Sequence, residues 1–249
     1  MDRRHLVFAV LTTPLLLTRA RAASPWSHRI LNGGFDGKVH HLGLYLKLDD
    51  GWKTYWRVPG SGGIPPTITV TGENVASFAF DCPLPQRFQG EDGETIGYKH
   101  DVVFPIRVTP VDASKPVDAM ISAFMGVCEV VCIPAQIDEN MSLSTAMLTT
   151  ANAALLQSWI SKVPQPAQLD ARAVVMERSL YLTFSRPATE VFIEFLDGIP
   201  HYATVPVFGT DNTSAMVEFN AAKVDLRNRQ IRITVVTGDK GLEQELTTL

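Results

Sequence analysis

The chain has 249 residues and a formal net charge of −4 at pH 7, with 26 acidic against 22 basic side chains. An acidic balance argues against nucleic acid and anionic membrane surfaces as partners, because both attract basic proteins. The length suits one large domain or two small ones.

Residues 1–22 have the composition of a secretory signal peptide. A basic start at Arg3-Arg4 precedes a mainly apolar run over 6–17, and Ala20-Arg21-Ala22 has small residues at the spacing that a signal peptidase reads. The apolar run is shorter than the roughly 20 residues of a spanning helix, and no later segment approaches that length. We therefore expect export by the Sec or twin-arginine route and a mature chain without a transmembrane helix; an N-terminal anchor is the alternative. Cleavage removes four arginines and one aspartate, so the formal charge changes from −4 to −7.

Short strands and frequent turns are predicted over residues 23–143. Leucines at 42, 44, 46 and 48 have the period of two that is typical of a strand with one buried face. A turn at Asp49-Asp50-Gly51 leads into an aromatic strand over 52–57. Further strand candidates follow at 67–70, 75–80, 102–109, 119–127 and 137–143. This pattern predicts an all-β fold of the immunoglobulin-like sandwich type.

Residues 144–166 change to helical spacing. Leu148, Ala151, Leu155 and Trp159 recur every three or four positions, and Pro164 follows the last of them. The segment is predicted to be a connecting helix and linker. Beyond it, residues 167–249 return to strand patterns, which predicts a second, smaller β-sandwich domain with a structural or docking role.

Cys128 and Cys132 are the candidate functional residues. The three residues between them allow a tight reversal that leaves both sulfurs on one side, close enough for a disulfide. An oxidising compartment outside the cytoplasm permits such a bond. A structural staple in so short a loop contributes only about 2 kcal/mol by loop entropy. From spacing alone, a redox-active pair and a structural staple are equally supported.

A Cu(I) site is a third interpretation of the pair. Met125 lies nearby in sequence, and His40, His41 and His100 occur elsewhere. No second cluster of cysteine and histidine has ligand spacing, so we predict neither a metal nor another cofactor. The remaining thiol, Cys82, is interpreted as a small buried residue.

Several motifs resemble one known family when they are taken in order. They are Gly51-Trp52-Lys53-Thr54-Tyr55-Trp56-Arg57, Gly63-Ile64-Pro65-Pro66, Glu94-Thr95-Ile96-Gly97-Tyr98-Lys99, Val102-Val103-Phe104-Pro105 and Cys128-x3-Cys132-Ile133-Pro134. Over most of residues 30–140 the sequence resembles the periplasmic N-terminal domain of DsbD/ScsB-type disulfide reductases. Residues 168–249 resemble the second β-domain of the ScsB-like branch.

The resemblance implies a thiol:disulfide oxidoreductase component of the periplasm. A membrane-embedded electron donor protein would reduce the cysteine pair, which would then reduce oxidised periplasmic thioredoxin-fold proteins. Cys132 would form the mixed disulfide with the substrate, and Cys128 would resolve it. Family members continue into transmembrane and thioredoxin-like domains, and this sequence ends at Leu249 without them, so the expected reductant is a separate protein.

The resemblance also implies a cap loop over the thiols, at about residues 85–98. Phe88 and Tyr98 would be its covering aromatic residues, and Tyr55 and Trp56 would line the site from the neighbouring hairpin. Two alternatives stay open: a non-catalytic periplasmic binding module with a structural disulfide, and a Cu(I)-handling protein.

Overall fold

A computed structural model describes residues 24–60, 62–90, 93–145, 152–197, 203–219 and 225–249. The predicted signal peptide lies outside these ranges, as does part of the segment predicted to be helical. Within them the chain forms two β-sandwiches and one helix. In this described part of the chain, no helix has the length and apolar content needed to cross a membrane.

The first sandwich consists of two antiparallel sheets. Its strands are β1 (Trp26–Phe35), β2 (His40–Leu48), β3 (Lys53–Gly60), β4 (Thr67–Glu73), β5 (Val75–Phe80), β6 (Gln86–Gly90), β7 (Gly93–Lys99), β8 (Asp101–Pro110), β9 (Val117–Cys128) and β10 (Cys132–Leu143). One sheet has the order β1-β2-β8-β5, and the other has the order β10-β9-β3-β7-β6 with β4 also paired to β9. This arrangement confirms the predicted immunoglobulin-like all-β class.

Alternating apolar residues build the core between these sheets. The four leucines of β2 are buried, and they share one cluster with Ile121, Ala123, Met125 and Val127 of β9. The sequence predicts that β9 is covered on both faces, but Met120 and Phe124 on its outer face are exposed. Only the inner face of β9 packs against the other sheet, so Met120 and Phe124 on the outer face remain in contact with solvent.

The second sandwich follows the same principle with shorter strands. Its strands are β11 (Gln165–Pro166), β12 (Arg172–Met176), β13 (Ser179–Thr183), β14 (Glu190–Phe195), β15 (Val207–Phe208), β16 (Ser214–Glu218), β17 (Gln230–Thr237) and β18 (Lys240–Thr247). They form sheets of order β11-β18-β17-β14 and β12-β13-β16-β15. A separate cluster of buried side chains lies between these sheets.

The helix α1 (Ala153–Ile160) packs on the outer face of the β1-β2-β8-β5 sheet. Its buried Leu156 contacts Leu31 and Val103. Two glycines make room for this side chain, because a Cβ atom at Gly43 would lie 2.8 Å from Leu156 Cδ1 and one at Gly33 would lie 2.6 Å from its Cδ2. The helix therefore rests in a depression that sheet residues without side chains create.

Two arginines of the first sandwich attach it to the second. Arg57 on β3 donates to Glu194 at 2.9 Å and contacts Glu243. Arg87 on β6 binds Glu190 with two nitrogens, at 2.9 and 3.0 Å. Because the Arg87 side chain is nearly buried, the carboxylates that it contacts must compensate its charge.

We expect Arg87→Ala to lower the free energy of unfolding by about 3 kcal/mol, because it leaves partly buried carboxylates without their counter-charge. Arg178→Ala is the matched control, since Arg178 is an exposed arginine paired with Glu218 at 2.8 Å. Such exposed pairs contribute about 0–1 kcal/mol. Urea unfolding followed by fluorescence measures both variants, and equal losses of stability would contradict a buried role for Arg87.

Candidate functional site

The two cysteines form a disulfide at the closed end of the β9–β10 hairpin. These strands pair in unbroken register from Cys128 opposite Cys132 to Val117 opposite Leu143. The turn between the cysteines consists of residues 129–131, and the two Cα atoms are 4.1 Å apart. The tight reversal predicted from the spacing is therefore present, and the two sulfurs are bonded.

The two cysteines differ in their exposure to solvent. Cys128 is 2% exposed, whereas Cys132 is exposed. Cys128 lies inside the sheet because β3 pairs with β9 at this point, with Lys53 opposite Cys128. Cys132 begins β10, which is the edge strand of the sheet. An external thiol therefore reaches the disulfide from the Cys132 side.

Tyr55 contacts the disulfide directly. Its Oη lies 3.3 Å from Cys132 Sγ. Because this sulfur is bonded to Cys128 and carries no proton, the Tyr55 hydroxyl is the hydrogen-bond donor. Glycines at 63 and 126 leave space for the ring: a Cβ atom at Gly126 would lie 3.1 Å from Tyr55 Cε2, and one at Gly63 would collide with the ring. Thr54 anchors the same strand by donating to the Gly126 carbonyl at 2.8 Å. The ring thus lies between β9 and the loop that precedes β4, with its hydroxyl at the exposed sulfur.

Trp56 and Tyr98 do not cover the thiols. Both lie in the core of the first sandwich, and Tyr98 donates its hydroxyl to the Pro83 carbonyl at 2.7 Å. The Trp56 ring centroid lies 5.2 Å from that of Phe192 in the second sandwich, with the two rings tilted by 56°. Alternation along β3 explains this placement, because neighbouring residues point to opposite faces of a sheet and Tyr55 takes the outer face. Trp56 was expected to line the site and Tyr98 to cover it, but both side chains pack in the core.

The segment expected to be a cap loop is a hairpin that extends the sheet. Its strands β6 and β7 lie beside β3, on the side of β3 away from the cysteines. Gly97 permits this close pairing, because a Cβ atom there would collide with the Thr54 carbonyl. Phe88 is half-buried on β6, and its ring lies 4.4 Å from the Lys99 ammonium. Register places Phe88 on the outer face of the sheet, the face that Tyr55 also takes.

Cys82 is separated from this chemistry. It lies at a cleft of about 690 Å³ between the two sandwiches, which Arg57 and Glu243 also line. Burial raises the pKa of its thiol to about 12, since a thiolate is poorly solvated there. Its predicted identity as a small buried residue agrees with this environment.

The residues considered for Cu(I) do not converge on the cysteine pair. Met125 is buried in the core, on the face of β9 opposite Cys128. His40 stacks on Phe35 at 4.4 Å, and His41 contacts Asp36 at 2.7 Å. Among the described residues, no group of three or more His, Cys, Asp or Glu side chains is placed to hold a metal ion.

Comparison with known proteins identifies a family and a shared fold. Residues 27–142 match the family model of the N-terminal domain of the thiol:disulfide interchange protein DsbD. The crystal structure of the N-terminal periplasmic domain of ScsB from Proteus mirabilis is similar, with 22% identity, 96% of each chain covered and a TM-score of 0.72. The two proteins therefore share a fold that includes both sandwiches.

A second solved structure aligns with part of the chain. It is the DsbD n-terminal domain of Neisseria meningitidis in the reduced form, with 13% identity, 46% of this chain and 83% of that chain covered, and a TM-score of 0.30. A search of curated proteins found no match. The family match covers residues 27–142, which contain the disulfide-bonded Cys128 and Cys132, so this part of the chain belongs to the DsbD N-terminal family and is a thiol–disulfide exchange module.

Proposed function

We propose that the Cys128–Cys132 pair carries electrons from a membrane-embedded donor protein to oxidised thioredoxin-fold proteins in the periplasm. The observation that carries this proposal is the asymmetry of the disulfide, with Cys132 exposed and Cys128 buried. An exposed sulfur backed by a protected one suits the two steps of thiol exchange. Cys132 forms the mixed disulfide, and Cys128 resolves it.

The exchange proceeds through one intermolecular intermediate. In the reduced protein, the Cys132 thiolate attacks one sulfur of the partner's disulfide and forms a mixed disulfide, and the partner's other sulfur leaves as a thiolate that takes up a proton. The Cys128 thiolate then attacks Cys132 Sγ, which re-forms the internal disulfide and releases the partner's second thiol. The pair loses two electrons and the partner gains two. The donor's dithiol reverses these steps when it reduces the pair.

Tyr55 assists the step that needs a thiolate. When Cys132 is ionised, the Tyr55 hydroxyl at 3.3 Å donates to the sulfur and stabilises its negative charge. The same hydrogen bond stabilises Cys132 as a leaving group when the donor reduces the pair. The ring occupies the space that Gly63 and Gly126 leave open, so this donor is already positioned before a partner arrives.

The alternative of a structural staple is less well supported. Twelve residue pairs already hold β9 and β10 in register from Cys128 to Leu143. A disulfide that closes so short a loop removes little entropy from the unfolded chain and stabilises the fold by only about 2 kcal/mol. It can therefore open without loss of the fold, as a redox-active pair must.

Cys128→Ser should trap partners as mixed disulfides, because Cys132 keeps its nucleophile and loses the thiol that resolves the intermediate. Mass spectrometry of complexes captured from a periplasmic extract identifies the partners. Cys132→Ser is the matched control and should capture few, since Cys128 is buried. Equal capture by both variants would show that the roles are assigned wrongly.

Tyr55→Phe should slow alkylation of Cys132 in the reduced protein by about threefold at pH 7. A hydrogen bond to an ionised sulfur that contributes about 1.4 kcal/mol raises the thiolate fraction tenfold. The more basic thiolate of the variant is a better nucleophile, which offsets about half of this factor on a logarithmic scale. The rate of reaction with iodoacetamide measures the effect, and the rate-against-pH profile should shift to higher pH.

Tyr45→Phe provides the control for that experiment, because the Tyr45 hydroxyl contacts Asp101 at 3.5 Å in the other sheet. Its alkylation rate should equal that of the wild-type protein. Cys82 should stay unmodified in the folded protein, since burial raises its pKa to about 12. An unchanged rate in Tyr55→Phe would remove Tyr55 from the chemistry.

A further inference from the structure

The turn that joins the two cysteines presents two apolar side chains to solvent. Val130 is 82% exposed and Val131 is 71% exposed. Tight turns favour Gly, Asn, Asp and Pro, whose backbone preferences or side-chain hydrogen bonds suit a reversal. Two β-branched apolar residues bring neither advantage, and at this exposure they contribute little to the core. The fold alone does not account for them.

The one charged side chain of this turn is directed away from its tip. Glu129 folds back towards the β2–β3 turn, where a Cβ atom at Gly51 would lie 2.9 Å from Glu129 Oε1. The two valines therefore form the outermost surface of the turn. On the other side of Cys132, Tyr55 contacts the sulfur but is only 3% exposed. Val130 and Val131 therefore supply the exposed apolar surface next to the exposed sulfur.

Mixed-disulfide geometry requires a partner to cover these valines. The Cα atoms of bonded cysteines lie about 4.4–6.8 Å apart, and consecutive Cα atoms in a chain are about 3.8 Å apart. A folded protein bonded to Cys132 therefore extends over Val131 and Val130 as well. A small thiol reaches the sulfur without covering them.

We propose that Val130 and Val131 form an apolar anchor that packs against the apolar surface beside the reactive cysteine of a thioredoxin-fold partner. This inference rests on the proposed function and adds the residues that select a protein partner. Burial of exposed apolar surface contributes to binding only where the partner is also apolar, so the anchor discriminates among thiols by their surroundings.

A lipid surface is the other class of ligand that exposed valines fit. The neighbouring β2–β3 turn contains Asp49 and Asp50, both exposed. Carboxylates at this position are repelled by anionic lipid headgroups. The surroundings of the anchor thus favour a protein over a membrane.

The test compares protein and small-molecule reductants on the full chain. Wild type and Val130→Ser/Val131→Ser are oxidised, and reduction of the disulfide is followed with reduced thioredoxin and, separately, with dithiothreitol. The double variant should lose about tenfold in its rate constant with thioredoxin, while its rate with dithiothreitol stays within about twofold of wild type. Val130→Ile/Val131→Ile keeps the apolar surface and should retain the thioredoxin rate.

Val111→Ser is the matched control, because Val111 is 72% exposed in the turn before β9, at the other end of the hairpin. Its rates should equal those of wild type with both reductants.

Unchanged thioredoxin rates in the double serine variant, or equal losses with both reductants, would overturn the anchor and leave the proposed function intact. If wild type co-sediments with phosphatidylglycerol vesicles and the double serine variant does not, the valines contact a membrane, and this result overturns the anchor. A wild-type disulfide that dithiothreitol reduces and thioredoxin does not would reject the anchor and the proposed function together.

Discussion

Pairing between β9 and β10 determines the position of both sulfurs, because an unbroken register places Cys128 opposite Cys132. Burial of every second residue of β9 fixes that register. Ile121, Ala123, Met125 and Val127 must face the core, so Cys128 faces outward with Gly126. A slip by one residue would exchange the two faces of the strand. The hydrophobic core therefore holds the cysteines opposite each other independently of the disulfide, as the proposed redox role requires.

The chemical difference between the sulfurs comes from their neighbours in the sheet. Cys128 has β3 on one side and β10 on the other, whereas Cys132 lies on the edge strand. The same strand β3 brings the Tyr55 hydroxyl to Cys132. One strand thus shields the buried sulfur and supplies a hydrogen-bond donor to the exposed one. The position of β3 therefore determines the surroundings of both sulfurs.

The second sandwich contributes to that position. Thr54 binds the Gly126 carbonyl on one side of β3, and Arg57 binds Glu194 of the second sandwich three residues further along the strand. Arg87 attaches β6, which β7 separates from β3, in the same way. Because these ion pairs are largely buried, their geometry is more restrictive than that of exposed pairs. Residues 167–249 thus contact, within this chain, two strands of the sheet that carries the disulfide.

Local sequence patterns determined the fold class, the strand of alternating leucines and the closeness of the two cysteines, since each depends on residues a few positions apart. The sequence could not tell which face of β3 is outward, because Tyr55 and Trp56 are both aromatic and adjacent. The family resemblance assigned Trp56 and Tyr98 to the site, whereas both side chains are packed in the core. The contact of Tyr55 with Cys132 and that of Arg87 with Glu190 join residues 77 and 103 positions apart. Only the tertiary structure decided these contacts and the unequal exposure of the cysteines, because they depend on which strands become neighbours.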